Sequence, residues 1–300
     1  MRVTSNFLMK NMLNNLSRNN RRLDEVTQQL STGKRINKPS DDPGDVVRSL
    51  RVRTEINEYD QYKKNVDMAR SLLEYTDETL DKVGQGIHRA RELAIQAKND
   101  TYDDSQREMM AKEVNGILND IVDASNSTFS NRHVFSGTST KEPFKPELDD
   151  DGNITKVNPE GNSEPREFEM GVGQSINAGA DGQSIFMPIF DGLINLRDGL
   201  EGKEGEVDED LLETGFGQIN ESFDALLTQR SELGARVNQL ELVENRMLDG
   251  EINLKGLKSS IEDVDMAESI MHLKNIEALH QASLNVTSRI IQPSLVDFLR

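Results

Sequence analysis

Residues 52–97 read VRTEINEYDQYKKNVDMARSLLEYTDETLDKVGQGIHRARELAIQA, and their apolar spacing decides the fold. An unbroken heptad runs through Val52, Glu55, Tyr59, Tyr62, Val66, Ala69, Leu73, Thr76, Leu80, Val83, Ile87, Ala90, Ala94 and Ala97, with only Glu55 and Thr76 polar. Steps that alternate three and four belong to a helix packed along other helices; a strand would repeat every two residues. At 1.5 Å per residue the stretch predicts a rod of roughly 70 Å, with Val66, Leu73, Leu80, Val83 and Ile87 at its core. Pro43 suits a helix start, because proline has no N–H to lose there, and Asn99-Asp100 reads as the end. Gly84 and Gly86 lie within the run and cost about 1 kcal/mol each relative to alanine. They serve close backbone approach or are simply tolerated, with the balance toward tolerance.

A second heptad precedes it: Met9, Leu13, Leu16, Asn20, Leu23, Thr27 and Leu30. So short a helix is marginal alone in water, and six asparagines in the first twenty residues weaken it further. It therefore needs a partner, in this chain or on another molecule. Leu30-Ser31-Thr32-Gly33 reads as a helix end with a glycine cap. The connector to Pro43 holds two prolines and offers N-cap oxygens from Ser40 to Asp42. Beyond the rod, a helix over 105–126 shows Met110, Val114, Ile117 and Ile121, flanked by Leu118 and Val122. A short polar turn before it predicts an antiparallel return.

After Phe129 the composition shifts to Gly, Asn, Asp and Pro, with short alternations at His133-Val134-Phe135 and Phe168-Glu169-Met170. Short strands and turns are expected, including a turn at Asp149–Asn153, then a helix over 185–200 and an acidic loop from Glu201 to Asp210. From about Leu211 a helix resumes, with Leu226, Arg230, Leu233, Val237, Leu240, Met247 and Leu254 along one face. Ile261-Glu262-Asp263-Val264-Asp265 interrupts it. A last helix carries Ile270, Leu273, Ile276, Leu279, Val286 and Ile290, with Leu284 and Ile291 alongside, a stripe wider than one partner needs. Pro293 ends it. The simplest topology brings the two terminal helices side by side.

The fold class is thus mainly α: an elongated coiled-coil-like rod built from both chain ends, with a small β-rich insertion. Three domains are expected: 1–42 with 262–300, 43–137 with 211–261, and an acidic 138–210. Hydrophobic content of 35% and aromatic content of 5% suit helical stripes better than one large globular core.

Bulk properties narrow the function. The net charge of −18 is uneven: residues 1–53 carry 11 basic and 5 acidic side chains, whereas residues 141–213 carry 6 and 19. The acidic middle opposes nucleic-acid binding, and the basic start has no interleaved aromatics for base stacking. The absence of cysteine excludes thiol catalysis, Cys-ligated metals and disulfide staples. No apolar run is long enough for a transmembrane helix, so no membrane insertion is expected. The N-terminus lacks the apolar region of a cleavable signal, so export would follow another route. None of the four histidines forms a metal motif. His272 and His280 stand two turns apart, too far to share an ion. Gly199–Glu204 has the wrong spacing for a phosphate loop, and Asp149–Gly152 lacks the closing glutamate of a calcium loop. No cofactor and no enzymatic activity are expected.

Three segments carry a family resemblance. Leu30–Pro43 (LSTGKRINKPSDDP), Arg91–Ala97 (RELAIQA) followed by Asn99-Asp100, and Ser260–Glu268 (SIEDVDMAE) resemble, in order, signatures of the bacterial flagellin superfamily. Flagellins tend to read Ala-x-Asp-Asp-Ala-Ala-Gly where this chain has Pro39-Ser40-Asp41-Asp42-Pro43. Together with Asn131–Thr138 (NRHVFSGT) and the ending Pro293–Leu299 (PSLVDFL), that difference is similar to the hook-associated branch. The resemblance implies a structural subunit that joins hook to filament, secreted to the flagellum by the type III apparatus. Its implied partners are hook-associated protein 1, flagellin, further copies of itself in a ring, and an export chaperone on the C-terminal segment. The assembly interface expected on the terminal helices is Met9, Leu13, Leu16, Leu23, Leu30, Ile270, Leu273, Ile276, Leu279, Leu284, Val286 and Ile290. The alternatives are flagellin itself, or a secreted helical binding module or adhesin using the acidic insertion.

Overall fold

A computed structural model describes residues 2–98, 103–149, 152–202 and 208–291. The expected rod end at Asn99-Asp100, the middle of the Asp149–Asn153 turn, residues 203–207 of the acidic loop, the side chains of Ile290 and Ile291, and everything from Gln292 lie outside the described residues. The described elements are α1 (Arg2–Thr32), α2 (Pro43–Ala97), α3 (Asp104–Ser125), β1 (Thr128–Phe129), β2 (Arg132–His133), β3 (Phe144–Leu148), β4 (Ile154–Pro159), β5 (Glu167–Gly171), β6 (Gln174–Asn177), α4 (Gly182–Glu201), α5 (Glu209–Glu262) and α6 (Met266–Ile291). The fold is mainly α. The strands pair as three antiparallel hairpins, β1–β2, β3–β4 and β5–β6. Among the described residues no helix is long and apolar enough to cross a membrane. The chain forms two compact units: Met1–Glu58 with Asp249–Arg300, and Tyr59–Leu248.

In the second unit the α2 heptad is the spine. Val66, Ala69, Leu73, Thr76, Leu80, Val83, Ile87, Ala90, Ala94 and Ala97 are all buried, while Tyr59 and Tyr62 are half-buried. Thr76 is tolerated inside because its hydroxyl donates to the Leu72 carbonyl at 2.6 Å, so no polar group is left unpaired. Two helices return against this spine. On α3, Met110, Val114, Leu118, Ile121 and Val122 are buried, and Arg89 Nε meets Glu113 Oε1 at 2.7 Å. On α5, Ile219, Leu226, Leu233, Leu240 and Met247 are buried at seven-residue intervals. Arg230, which sequence places on that same face, reaches Asp77 at 2.8 Å and Asp81 at 2.6 Å on α2. Farther along, Arg70 meets Glu244 at 2.8 Å. The partners run in opposite order along α2 and α5, which makes the pair antiparallel.

Gly84 corrects the balance toward mere tolerance. It is buried, and a Cβ there would stand 3.2 Å from Leu226 Cδ2, so the absence of a side chain lets α2 and α5 approach. Gly86 makes the corresponding approach to Ile117 and Ile121 of α3.

The insertion is held by aromatic packing. Phe135, Phe144, Phe186 and Phe190 are fully buried, with Phe135 edge-on to Phe186 at 4.8 Å and Phe144 edge-on to Phe190 at 5.4 Å. Val134 and Phe135 therefore belong to this core, and the alternation at His133–Phe135 is not a strand beyond β2. Arg197 of α4 is buried as well. It donates to the Ile154 carbonyl at 2.7 Å and to Asn115 Oδ1 at 3.1 Å, and it pairs with Asp198, which ties β4 to α3 and α4.

Candidate functional site at the meeting of the chain ends

In the first unit the two interruptions of the helical pattern come together. Thr32 ends α1, and Gly33 takes the left-handed φ of 69° that its cap position favours. The chain then runs antiparallel to residues 262–264. Arg35 N donates to the Glu262 carbonyl at 2.7 Å, Val264 N donates to the Gly33 carbonyl at 3.1 Å, and Lys34 bridges Asp263. Aspartates close each turn. Asp41 Oδ2 accepts from the backbone of Asn37 and Lys38. Asp42 Oδ1 accepts from Gly44 and Asp45 at the start of α2, and Asp265 Oδ1 accepts from Ala267 and Glu268 at the start of α6.

At the centre is Glu262, a carboxylate that is 2% exposed. Arg53 binds it with both Nε (2.6 Å) and Nη2 (2.8 Å), Lys34 Nζ binds it at 3.0 Å, and the buried Ser49 hydroxyl donates to Oε1. Ser49 and Arg53 stand one helical turn apart, so α2 presents both to the same carboxylate. The hydrogen bonds from Arg53, and after them those from Ser49 and Lys34, hold the Glu262 carboxyl well below the usual carboxylate range, against the opposing effect of burial. The same contact raises the Arg53 pKa. Arg35 adds a second tie, from its guanidinium to Asp45 and to the Ile261 carbonyl at 2.9 Å. The cluster is a lock: it fixes the starts of α2 and α6 against the ends of α1 and α5.

Sequence reasoning identified both segments but not Glu262 as their hinge pin. The one signal was charge: residues 1–53 carry 11 basic and 5 acidic side chains, a surplus of cations that a distant carboxylate could meet.

From this lock α1 and α6 run together. The α1 residues withdrawn from solvent are Met12, Leu16, Asn19, Leu23, Val26 and Leu30, with Gln29 beside the last. On α6 they are Ser269, Leu273, Ile276, His280, Ser283 and Thr287. Both sets follow heptad spacing. The seam is partly polar, with Asn19 Nδ2 bonding Ser283 Oγ at 3.2 Å. Of the expected interface residues, Leu16, Leu23, Leu30, Leu273 and Ile276 lie in this seam. Met9, Leu13, Ile270, Leu279, Leu284 and Val286 point to solvent, as do Phe7 and Met271. The expected heptad of Met9, Leu13, Leu16, Asn20, Leu23, Thr27 and Leu30 therefore shares Leu16, Leu23 and Leu30 with the observed seam, while Met12, Asn19 and Val26 fill the places it gave to Leu13, Asn20 and Thr27.

The N-terminal helical region model of bacterial flagellin matches residues 3–140, and the C-terminal helical region model matches residues 216–299. The chain belongs to the bacterial flagellin superfamily. It is 28% identical to flagellin of Bacillus subtilis over 301 residues, spanning 94% of each chain. It is 24% identical to flagellar hook-associated protein 3 of Escherichia coli over 284 residues, 85% of this chain and 87% of that one. The crystal structure of flagellar hook-associated protein 3 from Legionella pneumophila superimposes with a TM-score of 0.59 at 18% identity, covering 69% of this chain and 98% of that chain, a likeness of fold. The chain is a member of the superfamily similar to hook-associated protein 3, and a structural component of the flagellum.

Proposed function

We propose that this subunit forms the junction between hook and filament, with its terminal helices as the assembling part. The observation that carries the proposal is the pair of apolar rows left exposed on α1 and α6 beside a marginal, partly polar seam. A soluble monomer has little reason to expose leucine, isoleucine and methionine along two adjacent helices. Stacked copies would cover them, and a head-to-tail contact of this kind builds a ring or a tube. The Glu262 lock would set the angle at which both helices leave the subunit.

In this scheme 1–42 with 262–300 is the inner assembly domain, 43–137 with 211–261 the helical rod, and 138–210 an acidic β-rich inserted domain. The ring of copies rests on hook-associated protein 1 and receives flagellin. Before export by the flagellar type III route, a chaperone covers the C-terminal segment. The site of action is the extracellular hook–filament junction, and the role is structural rather than enzymatic.

Deletion of the gene tests this. Cells should build hooks and shed flagellin monomers into the medium. Intact filaments would refute the junction role, and loss of the filament without shedding would assign the chain as the filament subunit. Removal of residues 138–210 should leave filament growth intact, whereas an adhesin would lose its activity.

A further inference from the structure

Away from the Glu262 lock, the α1–α6 pair runs through two stretches without a carboxylate. Arg2–Leu23 holds five cations, Ala278–Ile291 holds one, and neither holds an aspartate or a glutamate. The two helices are antiparallel, since Asn19 meets Ser283 and Lys34 bridges Asp263. The N-terminal half of α1 therefore lies beside the C-terminal half of α6, which brings no acid to neutralise it. In a chain of net charge −18 this reverses the general balance.

Lys10, Arg18, Arg21 and Arg22 are exposed, and among the described residues none of them meets a carboxylate. The Arg21 guanidinium donates to the Ser17 carbonyl one turn back. By contrast, Arg70 and Arg89 of α2 and Arg230 of α5 each pair with an acid on another helix. Phe7, Lys10, Asn14, Arg18 and Arg21 follow steps of three and four, so one row of α1 carries a phenylalanine and three cations. Leu13 and Ser17 fill the row beside it. Phe7 is 66% exposed and Leu13 55%. This face points away from α6, which packs against Met12, Leu16, Asn19 and Leu23.

Cations with no acid among them, next to exposed apolar side chains, suit a helix that lies in a lipid–water interface. Further copies stacked on α1 would account for Leu13 and leave the missing carboxylates without a reason. A nucleic acid would answer the cations and offer nothing apolar, and the row has no aromatics spaced for base stacking. An anionic bilayer supplies both layers, phosphate at the surface and acyl chain just beneath.

We propose that the outer face of α1 binds the surface of an anionic lipid bilayer. Lys10, Arg18 and Arg21 meet headgroup phosphates, and Phe7 and Leu13 enter the boundary between headgroups and acyl chains. The contact is peripheral, since among the described residues no helix is long and apolar enough to cross. It belongs to the unassembled subunit and does not rest on the junction role.

The test sediments full-length protein with vesicles of about 30% phosphatidylglycerol in phosphatidylcholine, and with phosphatidylcholine alone. Binding to the anionic vesicles should be at least about tenfold tighter, and should weaken about tenfold between low salt and about 0.5 M NaCl. Arg18→Glu with Arg21→Glu, at two exposed positions, should remove about nine-tenths of it, with folding confirmed by circular dichroism. Arg132→Glu with Lys156→Glu makes the same charge change at exposed positions of the Tyr59–Leu248 unit and should leave binding unchanged. The chain has no tryptophan, so Phe7→Trp gives a lone reporter whose emission should shift to the blue on anionic vesicles. Equal binding to both kinds of vesicle, an equal loss in the control pair, or Phe7→Trp emission that does not move overturns the proposal. Binding to oligothymidylate as tight as to the vesicles also overturns it, by making the face a general polyanion site. So does self-association that Arg18→Glu with Arg21→Glu abolishes, without vesicle binding, which would give the face to an acidic neighbour.

Discussion

The two longest helical seams of this chain are built from the same repeat and reach different states. Along α2, positions 66–97 of the heptad are all buried, and α5 and α3 come close where the helix carries Gly84 and Gly86. Along α1 and α6, the residues facing each other are only half-buried, apart from the buried Ser269. They include Asn19, His280, Ser283 and Thr287, and apolar rows beside them remain in solvent. A heptad therefore announces that a helix will pack without saying on how many sides. α2 lies against α3 and α5, and its wide apolar face is satisfied. Among the described residues α1 and α6 pack along each other, with faces wide enough for more.

Changes in each region should separate these states. The largest effect on stability is expected from Leu80→Ala, which removes a fully buried side chain from a close-packed site. It should cost about 3 kcal/mol in denaturant unfolding. A loss below about 1 kcal/mol would mean that the α2 seam is looser than its burial indicates.

Glu262→Gln comes next. It removes the charge that Arg53 and Lys34 share, and should cost about 2 kcal/mol in the unit of the chain ends, discounted because both cations are half-exposed. The wild type should show the same loss in acid. The Glu262 pKa is lower folded than unfolded, so its contribution is complete above the unfolded value of about 4.3 and declines as pH falls below it. The gap in melting temperature between wild type and Glu262→Gln should narrow as the pH falls from neutral to about 3. A constant gap would show that the carboxylate is not held in this way.

Leu279→Ser should have the smallest effect on the monomer, within about 0.5 kcal/mol, since the side chain is already exposed. Incorporation into flagella should nonetheless fall sharply. Unchanged incorporation would remove this row from the assembly surface.

Much of this architecture was legible in the chain, for identifiable reasons. The α2 stripe is long enough that its period is unambiguous, and the Gly33 and Asp42 caps follow from local chemistry. Glu55 was misplaced as a core position: it is exposed, and the neighbouring Ile56 is the half-buried residue between Val52 and Tyr59. The glycines at 84 and 86 could not be interpreted without knowing what stands opposite them. The α1 row was ambiguous because Leu16, Leu23 and Leu30 belong equally to two registers. The Glu262 lock depends on residues more than two hundred positions apart, and only the long-range return of the chain assembles it.

Amide hydrogen exchange on free and assembled protein would test most directly whether the terminal helices are incomplete until copies stack. Residues 66–97 should be strongly protected in both samples. Residues 9–30 and 270–288 should exchange rapidly in the monomer and gain at least about 100-fold protection on assembly. Terminal helices as protected as α2 in the free monomer, with no change in the polymer, would contradict the central claim.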